Sequence, residues 1–196
     1  MYQSSLTRST GNMLEGESMS DISIVGRWKR LPPKVKWPAG IVAGWLILIL
    51  LIQVGNSTNQ ISRMPSECPE SSMNCVRIAH DGTSFNSGDL EPLSFNATKD
   101  EVLTVVENWF EERWFASVLS VGNDSTIVVH GVDHTEFWFF ADDVFVEISC
   151  VDGAAELTLH SQSRLGKGDM GENHRRMTEF HEDISSEKWS NEPCEG

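Results

Sequence analysis

The sequence predicts an α+β protein: an antiparallel sheet of about five strands with two helices packed on one face, preceded by a single transmembrane helix. Three observations predict it. An uncharged run, Trp37 to Val54, stands near the N-terminus. One later segment repeats its apolar residues with the period of a helix. From Trp114 onward the period changes to two, with a turn signal every few residues.

The run "WPAGIVAGWLILILLIQV", rising about 1.5 Å per residue, spans roughly 27 Å, enough to cross the hydrocarbon of a bilayer. Nine Ile, Leu and Val residues lie between Ile41 and Ile52, and at about −0.3 to −0.6 kcal/mol each they favour insertion by roughly 3–5 kcal/mol. Arg27, Lys29, Arg30, Lys34 and Lys36 precede the run, and only Arg63 follows it closely. The cation excess places the N-terminus in the cytoplasm and the rest of a single-pass cell-membrane protein outside. A cleaved signal peptide is the alternative, but its charged region would be 36 residues long and no A-x-A-like site follows Val54.

Charge divides at the same place. Residues 1–60 hold six Lys and Arg against three Asp and Glu, a net of +3, whereas residues 61–196 hold nine against 26, a net of −17. An acidic outer part repels phosphates and anionic headgroups over a Debye length, so no nucleic acid partner is expected. The organisation that follows is a disordered basic cytoplasmic tail over 1–36, a transmembrane helix over 37–54, a linker over 55–67, an extracytoplasmic α+β domain over 68–185 and an acidic tail over 186–196.

All four cysteines, Cys68, Cys75, Cys150 and Cys194, lie on the side expected outside, where disulfides persist. Cys68 and Cys75 are the expected disulfide, a small loop whose closure stabilises by roughly 2–3 kcal/mol on the chain-entropy model. Their spacing, without a second thiolate pair or a neighbouring histidine, suits zinc poorly, and free thiols are the third state. Pairing of Cys150 with Cys194 is left open.

Within the domain, Cys68 to Phe95 is irregular, punctuated by Pro69, Gly82, Gly88 and Pro92. "NATKDEVLTVVENWFEERW" carries a capping box, Thr98 with Glu101, and then Val102, Val105, Val106, Trp109 and Phe110 along one helical face. Five strand candidates follow: "WFASVLSV", "STIVVHGV", "TEFWFF", "DVFVEISCV" and "AELTLHSQSR". The expected turns are Gly122-Asn123, Val132-Asp133, Ala141-Asp142 and Asp152-Gly153, too short for anything but antiparallel neighbours. A last helix, about Glu172 to Ile184, offers Met177, Phe180 and Ile184 inward.

Gly166, Gly168 and Gly171 have the spacing of a dinucleotide-binding loop. That loop works between two parallel strands; here an antiparallel meander precedes it and no apolar strand follows. Neither a nucleotide nor any other cofactor is expected. "CPESSMNCV", "ADDVFVEI" and "HSQSRLGKGDMGENHRRM" resemble the three signature segments of the domain of unknown function 1499 family, with His160 where that pattern usually has Arg. The resemblance implies a small domain, often attached to membrane helices, with no known activity.

The candidate site is polar. Asp142 and Asp143, read as a turn, together with Ser161, Ser163, Arg164, Asp169, Asn173 and Arg176 form a cluster suited either to pinning the last helix or to holding a small anion between arginine forks and helix N–H groups. The histidines at 130, 134, 160, 174 and 181 have no metal-ligand spacing, and no metal is expected. The function expected is a noncatalytic binding or envelope scaffold module, with an envelope protein or small anion as partner. The alternative is a hydrolase-like enzyme or anion-binding protein built on the Asp/Arg cluster. Asn56, Asn96 and Asn123 head N-x-S/T sequons.

Overall fold

The computed structural model describes residues 32–123 and 125–195. Helix α1 (Pro33–Thr58) contains the uncharged run and, among the described residues, is the one helix long and apolar enough to cross a membrane. It extends beyond the expected span at both ends and absorbs the first part of the expected linker. The expected tail over 1–36 lies mostly outside the described residues. The chain divides into two compact units after Leu46, and the last three turns of α1 belong with everything that follows.

The second unit runs β1 (Cys75–Ile78), β2 (Leu93–Phe95), α2 (Lys99–Glu111), β3 (Ala116–Asn123), β4 (Ile127–His134), β5 (Ala141–Val151), β6 (Ala154–Ser163) and α3 (Glu172–Ser186). Its sheet is antiparallel, in the order β1-β6-β5-β4-β3, and β2 shares the outer edge of β6 with β1. Helix α2 packs over β3, β4 and β5, and α3 over β1 and β6. The core between them joins Val102, Val106 and Phe110 of α2, Met177, Phe180 and Ile184 of α3, and the alternate residues Ile127, Val129, Val144, Val146, Leu157 and Leu159 of the strands. This is the predicted α+β class.

Gly131 shows how closely α2 sits. A Cβ at that position would lie 2.3 Å from the buried ring of Phe110, so glycine is what lets the helix approach. Thr98 caps α2, its hydroxyl accepting from Glu101 N at 3.2 Å. The return half of the capping box is not made, because the Glu101 carboxylate accepts instead from Ser190 N and Oγ.

The strand reading needs three corrections. "TEFWFF" is not a strand: Thr135 to Phe140 loop between β4 and β5, with Thr135 N donating to Phe140 O and Phe139 N to Thr135 O. Gly122-Asn123, Val132-Asp133 and Ala141-Asp142 are not turns, but belong to β3, β4 and β5. A buried aspartate in a strand needs a cation facing it, and the arginine that faces these comes from α3, far off in sequence. The stretch read as irregular holds β1 and β2, too short at four and three residues to show a period.

The second face of the sheet is also covered. A row of His130, Phe145, His160 and Arg77 crosses β4, β5, β6 and β1 in register, and all four are buried. The chain between α1 and β1 lies over it: Ile61 N donates to Asp143 and Arg77 to Pro65 O. Cys68 and Cys75 are disulfide-bonded, and so are Cys150 and Cys194. The second bond straps the C-terminal segment to the end of β5, where Cys194 N donates to Gly153 O at 2.8 Å and Trp189 packs on Phe95.

Candidate functional site

Side chains alternate along a strand, so the adjacent Asp142 and Asp143 point to opposite faces of β5. The predicted cluster is therefore two clusters with the sheet between them, not one.

On the helix face, Arg176 rises from the second turn of α3 and is 1% exposed. Its Nε donates to Asp133 Oδ2 at 2.8 Å, one terminal nitrogen to Asp142 Oδ2 at 2.7 Å, and the other to Asn173 Oδ1 at 2.8 Å and Ser161 Oγ at 3.2 Å. Asn173 continues the network, donating to Asn74 O and Ser163 Oγ at 2.9 Å each. Arg113, from the end of α2, adds a second cation to Asp133 at 3.1 Å. Burial acts to raise both aspartates. At Asp133 the charges and hydrogen bonds of Arg176 and Arg113 outweigh it and hold the carboxyl below its ordinary range. At Asp142, more deeply buried and facing Asp133, burial prevails and the carboxyl is pushed up despite Arg176.

On the opposite face, Asp143 accepts from Arg164 Nε and a terminal nitrogen at 2.8 and 2.7 Å, from His130 Nε2 at 2.7 Å and from Ile61 N at 3.0 Å. Burial works to raise this carboxyl, and the bonds from His130, Arg164 and Ile61 overcome it and hold it low. The third nitrogen of Arg164 donates to Asn56 O at 3.4 Å in the last turn of α1. Asn56 itself is buried, donating to Phe139 O at 2.8 Å and accepting from Ala141 N at 3.3 Å. Its sequon nitrogen is thus occupied inside the protein.

The glycine loop closes on itself. Gly166 and Gly171 take the positive φ values, 90° and 85°, that glycine tolerates, and Asn74 Nδ2 donates to Gly166 O at 2.8 Å. Asp169 Oδ2 accepts from Asn173 N at 2.7 Å and Oδ1 from Gly171 N at 3.0 Å. A carboxylate of the chain's own therefore sits on the N-terminus of α3, where a bound anion would have to sit.

An open cleft of about 910 Å³ lies beside the Arg176 network, lined among others by Arg113, Trp114, Asp133, His134 and Arg175. None of the eight predicted ligand residues lines it. Among the described residues, one group of three potential metal ligands converges, Cys68, Cys75 and His160, and its two sulfurs are bonded to each other.

Sequence reasoning missed Asp133, His130, Asn56 and Arg113. For Asp133 a signal existed: it falls in phase with Ile127 and Val129, the inward residues of β4. Arg113 and Asn56 carried no such mark, since their roles come from tertiary approach alone.

The fold and sites define an α+β domain whose arginines are held by its own carboxylates. The family described as Protein of unknown function (DUF1499) matches residues 66–184, and the chain belongs to that family. No curated protein and no solved structure matches it.

Proposed function

We propose that the chain is a single-pass membrane protein, its N-terminus cytoplasmic and its α+β domain outside, and that the domain is a noncatalytic binding or envelope scaffold module. The observation that carries this reading is the internal pairing of Arg164 and Arg176. Each guanidinium that an anion or substrate would need is already forked onto buried carboxylates. The Asp143–Arg164 pair has a mechanical role instead. Together with Asn56 and Ile61 it ties the last turn of α1, and the chain just beyond it, to the sheet.

Denaturant unfolding of the full chain in detergent, combined with calorimetric titration of inorganic phosphate, tests the reading. Arg176→Ala strands Asp142 in the core, leaves Asp133 with Arg113 alone, and is expected to cost about 3–5 kcal/mol. Arg164→Ala, at the edge of solvent, is expected to cost somewhat less, because water reaches part of the vacated site. Phosphate should bind neither variant nor the parent. An unchanged midpoint in Arg164→Ala, with phosphate binding present in the parent and lost in the variant, would make the anion site the better account.

A further inference from the structure

The six-residue loop between β4 and β5 carries Phe137, Trp138 and Phe139, and it is built to hold them in one arrangement. Thr135 closes it with three hydrogen bonds: its N–H to Phe140 O, its carbonyl from Phe139 N and its hydroxyl from Phe140 N. Phe139 is held at a φ of 57°, a left-handed conformation that bulky residues rarely adopt. The result presents Phe137, 60% exposed, and Trp138, 40% exposed, to solvent. Beside them the Phe115 ring meets Phe139 edge-on at 5.8 Å, and its neighbour Trp114 is 96% exposed. Burying the exposed surface of Trp138 and Trp114 in an apolar environment is favourable.

The position of this loop says which apolar environment it meets. The Phe139 carbonyl accepts from Gln53 Nε2 at 3.0 Å and from Asn56 Nδ2 at 2.8 Å. Gln53 lies inside the uncharged run, one residue before its end at Val54. Ile52 is 7% exposed, whereas Leu50, Leu51 and Val54 are open, so protein reaches α1 within the apolar run itself. Resting on the membrane-spanning reading above, we infer that the aromatic loop, Phe137 to Phe139, with Trp114 and Phe115 beside it, is a docking surface for the outer bilayer interface. Trp138 enters the boundary between headgroups and acyl chains, with the Phe137 ring edge-on to it at 4.7 Å. Tryptophan suits that layer, with an apolar ring and one polar N–H. The net charge of −17 beyond residue 60 gives no attraction to anionic headgroups, so the contact is apolar and a zwitterionic surface suffices. The domain then lies against the membrane through a second contact besides its helix.

Both disulfides use up the cysteines, which leaves the chain open to single labelling. Phe137→Cys, Asp152→Cys and Leu48→Cys, each carrying a nitroxide, are reconstituted as full chains in phosphatidylcholine nanodiscs. Accessibility to oxygen and to a polar nickel chelate is measured by electron paramagnetic resonance. Asp152 turns the hairpin at the other end of β5, roughly 34 Å along an 11-residue strand, and is the solvent reference. Phe137→Cys is expected to be oxygen-accessible and roughly tenfold less nickel-accessible than Asp152→Cys, because the apolar layer excludes the chelate. Equal nickel accessibility at positions 137 and 152, with position 48 protected, overturns the docking surface while leaving the span intact. Low accessibility of position 137 to both reagents, the mark of a protein–protein contact, overturns it too. A nickel-accessible position 48 removes the span and this inference together.

Discussion

His160 occupies the centre of the covered face with one ring nitrogen engaged and one bare. Nε2 lies 3.2 Å from Gln162 Oε1 and 3.6 Å from Cys75 Sγ, and Nδ1 has no hydrogen-bond partner among the described residues. Protonating Nδ1 places a charge in a buried site with nothing to accept its hydrogen, and burial accordingly lowers the pKa to about 4. For a base held below its unfolded value, the unfolded chain takes up the proton first. Stability is then full above the unfolded pKa near 6.5 and is lost as pH falls toward 4, by about 3 kcal/mol if this group acts alone. Asp143 and Asp133, held low, lose their contribution only below the ordinary carboxylate range. Asp142, pushed up, acts in the reverse sense, its contribution fading as pH rises through its folded value. Denaturant unfolding between pH 7 and 4 should show the decline in the parent, and His160→Asn should flatten it. An equal slope in both would move the titration to another residue.

Helix α2 and strand β4 meet through the absence of a side chain. Since the ring of Phe110 fills the space a Cβ at Gly131 would need, and the ring is itself fully buried, Gly131→Ala must push the helix off the sheet. A loss of about 1–3 kcal/mol is expected in equilibrium unfolding; a neutral substitution would show that the helix shifts freely. What the sequence discloses about such elements depends on how locally each is determined. Helix α2 is legible because Val102, Val106 and Phe110 recur at its own period. Helix α3 is legible through Met177, Phe180 and Ile184. Strands β5 and β6 are legible through their alternation. The loop at Thr135 to Phe140 mimics a strand because its aromatic residues favour one, and only a contact with α1 places it. Asp142 and Asp143 were legible as members of one polar cluster with Arg164 and Arg176. Their assignment to a turn hid the alternation that sends them to opposite faces, and so hid the division of the site.

At the scale of the whole chain, the uncharged run and its five preceding cations lead to the expected topology. Protease added to intact cells should remove an epitope placed at the C-terminus and spare one placed ahead of Arg27. The opposite pattern, a protected C-terminus, would invert the protein. The Cys150–Cys194 bond alters how that experiment looks. It makes β6, the glycine loop, α3 and the C-terminal segment the circumference of one covalent ring, joined across a sequence separation of 44. A single nick between Val151 and Pro193 opens this ring without shedding a fragment. The nicked chain keeps the electrophoretic size of an intact one until the sulfurs are reduced. A domain already cut on a cell surface would thus stay attached to its membrane, and the cut would be visible only in reducing gels.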